Sequence, residues 1–236
     1  MLSLLRFTHV VSGKILYDGV DITKVSRERL RKGLTIIPQE AVLFSGTVES
    51  NLDPSGRLPK AKLERALENC KGIASFAGEA TEDGDESRNE EASRAQAITL
   101  STEVDARGEN FSHGQRQVLS LCRALIRQSK LMLLDEATAS MDYETDRGIQ
   151  QVLRDELEEE AGGGRTLVTI AHRLRTIIDY DSIVVMSAGT VCEFGSPKEL
   201  YDAKGSFYDM VQHSGEVEEL QEFLGNKTTA TEETQS

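Results

Sequence analysis

The 236 residues contain no tryptophan, and aromatic side chains make up only 5% of them. A core must therefore be built from aliphatic side chains, with few large rings to anchor an interface. Cysteine is scarce and poorly spaced for chemistry. Cys70, Cys122 and Cys192 form no CxxC pair and no metal-spaced cluster. That argues against a zinc site or a disulfide framework and for three reduced thiols in a cytosolic compartment. No apolar run approaches the roughly 20 residues that span a bilayer. Residues 1–11 are apolar but short and lack a small-residue cleavage site, so they do not read as a signal peptide. Positive charge is in deficit: 27 Lys and Arg face 40 acids, a formal net charge of −13.

That deficit is local. Residues 79–97 hold seven acids against two arginines, and residues 215–236 hold six against one lysine. The rest is nearly neutral, so no basic face for nucleic acid is expected. Neither acidic stretch has enough apolar surface to offset ordering entropy. The expectation is a disordered insertion over 79–97 and a disordered acidic tail over 215–236.

Apolar spacing places the elements. Residues 1–9 suit a buried helix. Lys14-Ile15-Leu16-Tyr17 before Asp18-Gly19 reads as a strand and turn, and Leu34-Thr35-Ile36-Ile37 as a strand stopped by Pro38. A helix is expected to start near Pro59. Another follows Gly114, with Val118, Leu119, Cys122, Leu125 and Ile126 at helical spacing. Leu131-Met132-Leu133-Leu134 is the wholly apolar run of a parallel strand covered on both faces, and residues 166–170 read as a second buried strand. A helix is expected from about Tyr143, a hairpin around Gly189, and two short helices near 197–203 and 206–213. Strands alternating with helices predict an α/β layered domain over residues 1–214.

Candidate chemistry collects at strand C-terminal ends, where open α/β sheets bind ligands. Asp135 and Glu136 end one strand: the first could hold Mg²⁺, the second could polarise a water as general base. Taken alone, the pair could equally start a helix. Gln39 follows a second strand, and its amide could touch the metal or the water; an ordinary exposed loop residue is the plainer reading. His172 follows a third, where a ring N–H could contact a terminal phosphate; the plainer reading is a helix cap. Ser112, Gly114 and Gln115 open a helix whose N–H groups attract anions, or Ser112 merely caps it.

Together these motifs resemble the nucleotide-binding domain of ATP-binding cassette (ABC) proteins. Phe111-Ser112-His113-Gly114-Gln115 resembles the family signature L-S-G-G-Q, Asp135-Glu136 the Walker B end, Ser140-Met141-Asp142 the D-loop, Gln39 the Q-loop and His172 the switch histidine. Leu43-Phe44-Ser45-Gly46-Thr47, Asn51-Leu52-Asp53-Pro54, Glu144-Thr145-Asp146 and Ala171-His172-Arg173-Leu174 resemble the second nucleotide-binding domain of multidrug-resistance-associated exporters, the C subfamily. There His113, in place of a signature glycine, is in keeping.

The resemblance implies a P-loop NTPase-like fold, mostly parallel with helices on both faces and a helical signature subdomain. It implies ATP and Mg²⁺ as cofactors, a second nucleotide-binding domain in a head-to-tail dimer, and the transmembrane domains of an exporter as partners. The location implied is the cytosolic face of a membrane, or soluble cytoplasm for the short chain alone. Glu136, His172 and Gln39 take catalytic roles, Asp135 and Gln39 face the metal, and Ser112, Gly114, Gln115 and Asp142 contact nucleotide.

One family element has no match. The phosphate-binding loop reads G-x-x-x-x-G-K-[ST]. The lone Gly-Lys pair, Gly13-Lys14, has Thr8 five places earlier and Ile15 after it. Met1-Leu2-Ser3-Leu4-Leu5-Arg6 looks like the helix that follows that loop. The expectation is a cassette without the Walker A loop, its strand and the N-terminal antiparallel part, leaving a gap in the sheet. Such a chain would hydrolyse ATP only within a complete exporter, or else serve as an inactive remnant that docks on a complete cassette.

Overall fold

The computed structural model describes residues 2–73, 76, 98–139, 141–158 and 165–232. The insertion expected over 79–97 lies outside them. The described residues form two compact units that meet in sequence between Ile170 and Ala171, rather than the single body expected over 1–214.

The first unit is organised by a three-stranded parallel sheet in the order β3 (Leu34–Ile37), β6 (Leu131–Asp135), β7 (Thr166–Ile170). Strand side chains alternate between faces, and β6 shows why its run is wholly apolar. Met132 and Leu134 enter the larger core, with Leu119 and Cys122 of helix α4 (His113–Ile126), Leu63 and Cys70 of α3 (Lys60–Cys70), and Ile149 and Leu153 of α5 (Tyr143–Glu158). Leu133 points the other way, into a cluster with Leu5, Ile22, Leu34 and Leu30 of α1 (Arg27–Lys32). Both faces of β6 are thus covered.

Strand β7 departs from its expected burial. Val168 is 38% and Ile170 41% exposed. In register, Val168 lies beside Leu133 and Ile170 beside Asp135, so Val168 shares the face of the smaller cluster. The cover on that face, α1 and the N-terminal segment, shields Leu34 and Leu133 but stops short of β7, the end strand.

The helix expected over residues 1–9 is not formed. Residues 2–7 close instead as a Schellman turn, with Phe7 N–H bonded to Leu2 O at 3.0 Å, Arg6 N–H to Ser3 O at 3.1 Å, and Arg6 at φ +55°. That is the pattern that ends helices. Leu5 is buried, while Leu2 and Phe7 are exposed. Beyond it, β1 (Leu16–Tyr17) and β2 (Val20–Asp21) form a hairpin. Its turn needs positive φ at both corners, supplied by Asp18 (+48°) and Gly19 (+77°).

Between β3 and α3, β4 (Gly46–Thr47) pairs with β5 (Glu103–Val104) and runs into α2 (Val48–Leu52). Asp53 pins the turn that follows. Its carboxylate accepts from Ser55 Oγ at 2.6 Å, Ser55 N at 3.0 Å and Leu58 N at 2.7 Å. These bonds, the Ser55 hydroxyl foremost, hold its pKa down at about 2.

The second unit holds the expected hairpin, β8 (Ile183–Ser187) and β9 (Thr190–Gly195), then α6 (Pro197–Asp202) and α7 (Ser206–Gln212). Within the stretch expected to be a disordered tail, the described residues hold a helix, α8, over Val217–Glu232. Its acids obscured an i, i+4 pair, Leu220 and Leu224, 1% and 3% exposed, which packs in one cluster with Phe207 and Val211. Glu193 of β9 accepts the N–H groups of Ser206 and Phe207, which start α7, and the Phe207 bond foremost keeps its carboxyl below the usual range.

Asp53→Asn should lower the melting temperature at pH 7, because the amide cannot accept all three donors. A depressed native pKa stabilises above the unfolded value and is lost as pH falls through the native one. The gap between variant and parent should therefore be whole above about pH 4 and close toward pH 2. A gap independent of pH would show that the carboxylate's charge contributes nothing.

Candidate active site

Parallel register brings two of the expected strand ends side by side. Ile37 is level with Leu134, the last register pair of β3 and β6, so the chain leaves β3 through Pro38 and Gln39 at the same end of the sheet where it leaves β6 through Asp135 and Glu136. Asp135 is the last residue of β6 and is half-buried; Gln39 is exposed. His172 follows Ile170 by two residues along the chain, is exposed, and belongs to the second unit.

Neither carboxylate starts a helix. Glu136 turns the chain with a left-handed backbone, φ +51°, its N–H bonded to Ile170 O at 3.1 Å and its carbonyl accepting from Ala139 N at 3.1 Å. A left-handed backbone costs a residue with a Cβ on the order of 1 kcal/mol. Such conformations cluster at functional sites. The next helix, α5, begins only at Tyr143, and Asp142 caps it: Thr145 N–H donates to Asp142 Oδ1 at 2.9 Å. That bond foremost keeps the Asp142 carboxyl below the ordinary range.

Ser112 also serves as a cap. Its Oγ accepts from Gln115 N at 3.1 Å, while Gln115 Oε1 accepts from Ser112 N at 3.0 Å, a reciprocal capping box at the start of α4. Both side chains that the anion reading offers as ligands thus hold the helix entrance together. Ser112 and His113 are exposed there, and Gly114 and Gln115 are half-buried.

The sequence reading missed what holds Gln39 in place. Gln117, 1% exposed, donates from Nε2 to Pro38 O at 2.9 Å, tying α4 to the residue before Gln39. Two turns on, Arg123 donates to Asn51 O at 2.8 Å, Asn51 Oδ1 at 3.2 Å and Val42 O at 3.2 Å. Burial lowers its pKa, yet three acceptors keep it well satisfied. Asn51 is fully buried and closes a loop, donating to Phe44 O at 2.8 Å and accepting from Phe44 N at 3.0 Å. Gln117 and Arg123 lie on opposite flanks of the apolar stripe of α4, and nothing in their spacing signals which carbonyls they reach.

Gly13-Lys14 has no phosphate-cradling setting. It lies in an irregular stretch before β1, and a strand rather than a helix follows. At the strand tips the donor chemistry suits Mg²⁺. The ion takes one or two carboxylates and completes its shell with water and substrate phosphates, and Asp135 and Gln39 offer hard oxygens on neighbouring strands. Among the described residues no group of three or more His, Cys, Asp or Glu could enclose a metal on its own.

The ABC transporter family profile matches residues 1–139. The chain belongs to the ABC transporter family. The cassette is 43% identical over 215 residues to the ATP-binding cassette transporter abc1 of Schizosaccharomyces pombe, covering 90% of this chain and 14% of that protein. It is 41% identical over 212 residues to ATP-binding cassette sub-family C member 2 of Rattus norvegicus, covering 90% and 12%. The chain thus spans about one eighth of the length of these curated relatives. A solved bacterial Atm1-family ABC exporter with ATP bound superposes with a TM-score of 0.71 at 32% identity, over 89% of this chain and 33% of that one. The α/β cassette fold expected from sequence is the fold observed. Among the described residues no helix is long and apolar enough to cross a membrane.

Arg123→Met should cost about 2 kcal/mol, since it removes charge-assisted bonds and strands the buried Asn51 acceptors. The urea midpoint should fall accordingly. An unchanged midpoint would mean the Asn51 loop holds itself.

Proposed function

We propose that this chain is the nucleotide-hydrolysing cassette of an ABC exporter, most like the second nucleotide-binding domain of the C subfamily. The observation that supports this best is that Gln39 and Asp135-Glu136 follow neighbouring, paired strands at the same end of a parallel sheet, in a family member. Likeness to abc1 and to sub-family C member 2 supports the subfamily.

In this reading Asp135 and Gln39 hold Mg²⁺, which when bound neutralises charge on the phosphate oxygens. Glu136 accepts a proton from the attacking water at its carboxylate. His172 orients the terminal phosphate through a ring N–H. Ser112, Gly114 and Gln115 serve the nucleotide of the facing cassette in a head-to-tail dimer, with Asp142 near that junction. Transmembrane domains of the same exporter complete the machine, which sets the cassette at the cytosolic side of a membrane. The substrate moved is set by those domains.

A second reading is favoured by one observation, the setting of Gly13-Lys14. Without an N–H nest and its lysine, this stretch gives triphosphate little to grip. The 236-residue chain by itself would then act as an interaction module that offers its signature helix to a complete cassette.

The two readings separate by experiment. The 236-residue chain alone should bind Mg-ATP with a dissociation constant weaker than about 100 μM; tighter binding in calorimetry would show a phosphate grip of its own. In an exporter containing this cassette, Glu136→Gln should retain ATP binding while slowing hydrolysis by ~10²–10⁴. Unchanged turnover would remove Glu136 from the reaction and favour the interaction module.

A further inference from the structure

Two of the three cysteines meet in the core. Cys70 is the last residue of α3, and Cys122 lies mid-way along α4. Both are fully buried, and their Sγ atoms stand 3.0 Å apart; the single Cys122 S–H has Cys70 Sγ and, at 3.5 Å, Ala66 O as its two available acceptors. They are 52 positions apart in sequence, so chance neighbours along one helix are not at issue: the fold itself brings the thiols together. A disulfide needs its sulfurs at about 2.05 Å. Small side-chain rotations at two adjacent helices close that gap.

We propose that Cys70 and Cys122 form a redox modification site, joined by a small disulfide oxidant into an intramolecular cross-link that staples α3 to α4. The step balances with oxidised glutathione. The Cys70 thiolate attacks one glutathione sulfur, breaking its S–S bond and releasing one glutathione thiolate, which takes up a proton. Cys122, giving up its own proton, then attacks Cys70 Sγ, breaks the mixed disulfide and releases the second glutathione. Two protein thiols are oxidised and one glutathione disulfide is reduced to two thiols.

The order of attack follows from position. Cys70 is the last residue of its helix, so freeing it requires opening one turn, whereas freeing Cys122 requires unwinding α4. Cys122 is held mid-helix, where burial foremost, then its bond to Cys70, raises its pKa well above the usual thiol range. The pair is therefore quiet while α3 is docked and reactive when its last turn lifts. Cys192 is exposed on β9 of the second unit, and its substitution removes adducts and intermolecular pairing at that thiol from the test. The inference stands whether or not the cassette hydrolyses ATP.

The test uses the full chain carrying Cys192→Ser, incubated natively with oxidised glutathione, acid-quenched and mapped under non-reducing conditions. The expected product has lost two hydrogens in mass, yields a peptide linking Cys70 to Cys122, and melts higher than the reduced form by roughly 5 °C or more, as a long closed loop should. Free alkylatable thiols at both positions after prolonged oxidation would overturn the proposal. So would glutathione retained separately on each cysteine, or a cross-link that forms only in denaturant. Cys70→Ala should then take up no cross-link and leave Cys122 unmodified; capture of glutathione by Cys122 in that variant would overturn the assignment of Cys70 as the attacking thiol.

Discussion

Everything at the strand tips depends on β6 being buried from both sides. A strand sandwiched between two apolar clusters cannot slide by one residue, because a slip would exchange Met132 and Leu134 with Leu133 and send each to the wrong core. Fixed register then fixes where the apolar run must stop, and it stops at Asp135-Glu136. The carboxylates are placed by the packing of the four residues before them. The polar end is half-buried, and it is held still because Met132, Leu133 and Leu134 behind it are covered on both sides.

Helix α4 extends that rigidity sideways. Its apolar face helps build the larger core, while Gln117 and Arg123, on the flanks of that face, grip the chain on either side of Gln39. The helix that opens with the signature residues is therefore the same body that holds the Gln39 loop. A displacement at one end of α4 has to be felt at Pro38 and at Asn51, since buried hydrogen bonds with few alternatives transmit movement better than they absorb it. In the head-to-tail reading proposed above, coupling between the facing cassette's nucleotide and this chain's own strand tips would run through this single element.

The sequence announced the parts governed by local pattern. The period-3.6 run after Gly114, the unbroken apolar run of 131–134 and the Asp18-Gly19 turn each name their structure, because each is fixed by near neighbours. Pairing between distant segments was out of view. The open face of β7 depends on how far α1 reaches, the burial of Leu220 and Leu224 on where Phe207 lies, and the meeting of Cys70 with Cys122 on helix packing. Residues 2–7 misled for a related reason: their apolar content describes a helix, but their hydrogen bonds form only its terminus. At the strand ends, Asp135, Glu136 and Gln39 could be singled out from position in a motif. Their supports, Gln117, Arg123 and Asn51, could not, since an amide or guanidinium on an amphipathic helix gives no sign of which carbonyl it will find.

Glu136 holds a left-handed backbone that glycine or asparagine would adopt more comfortably. Any selection for thermal robustness alone would drift toward those residues and discard the carboxylate. Under the general-base role proposed for Glu136, resilience and chemistry are opposed at this one position, and the residue found there would mark a cassette that keeps its carboxylate at a cost in backbone strain.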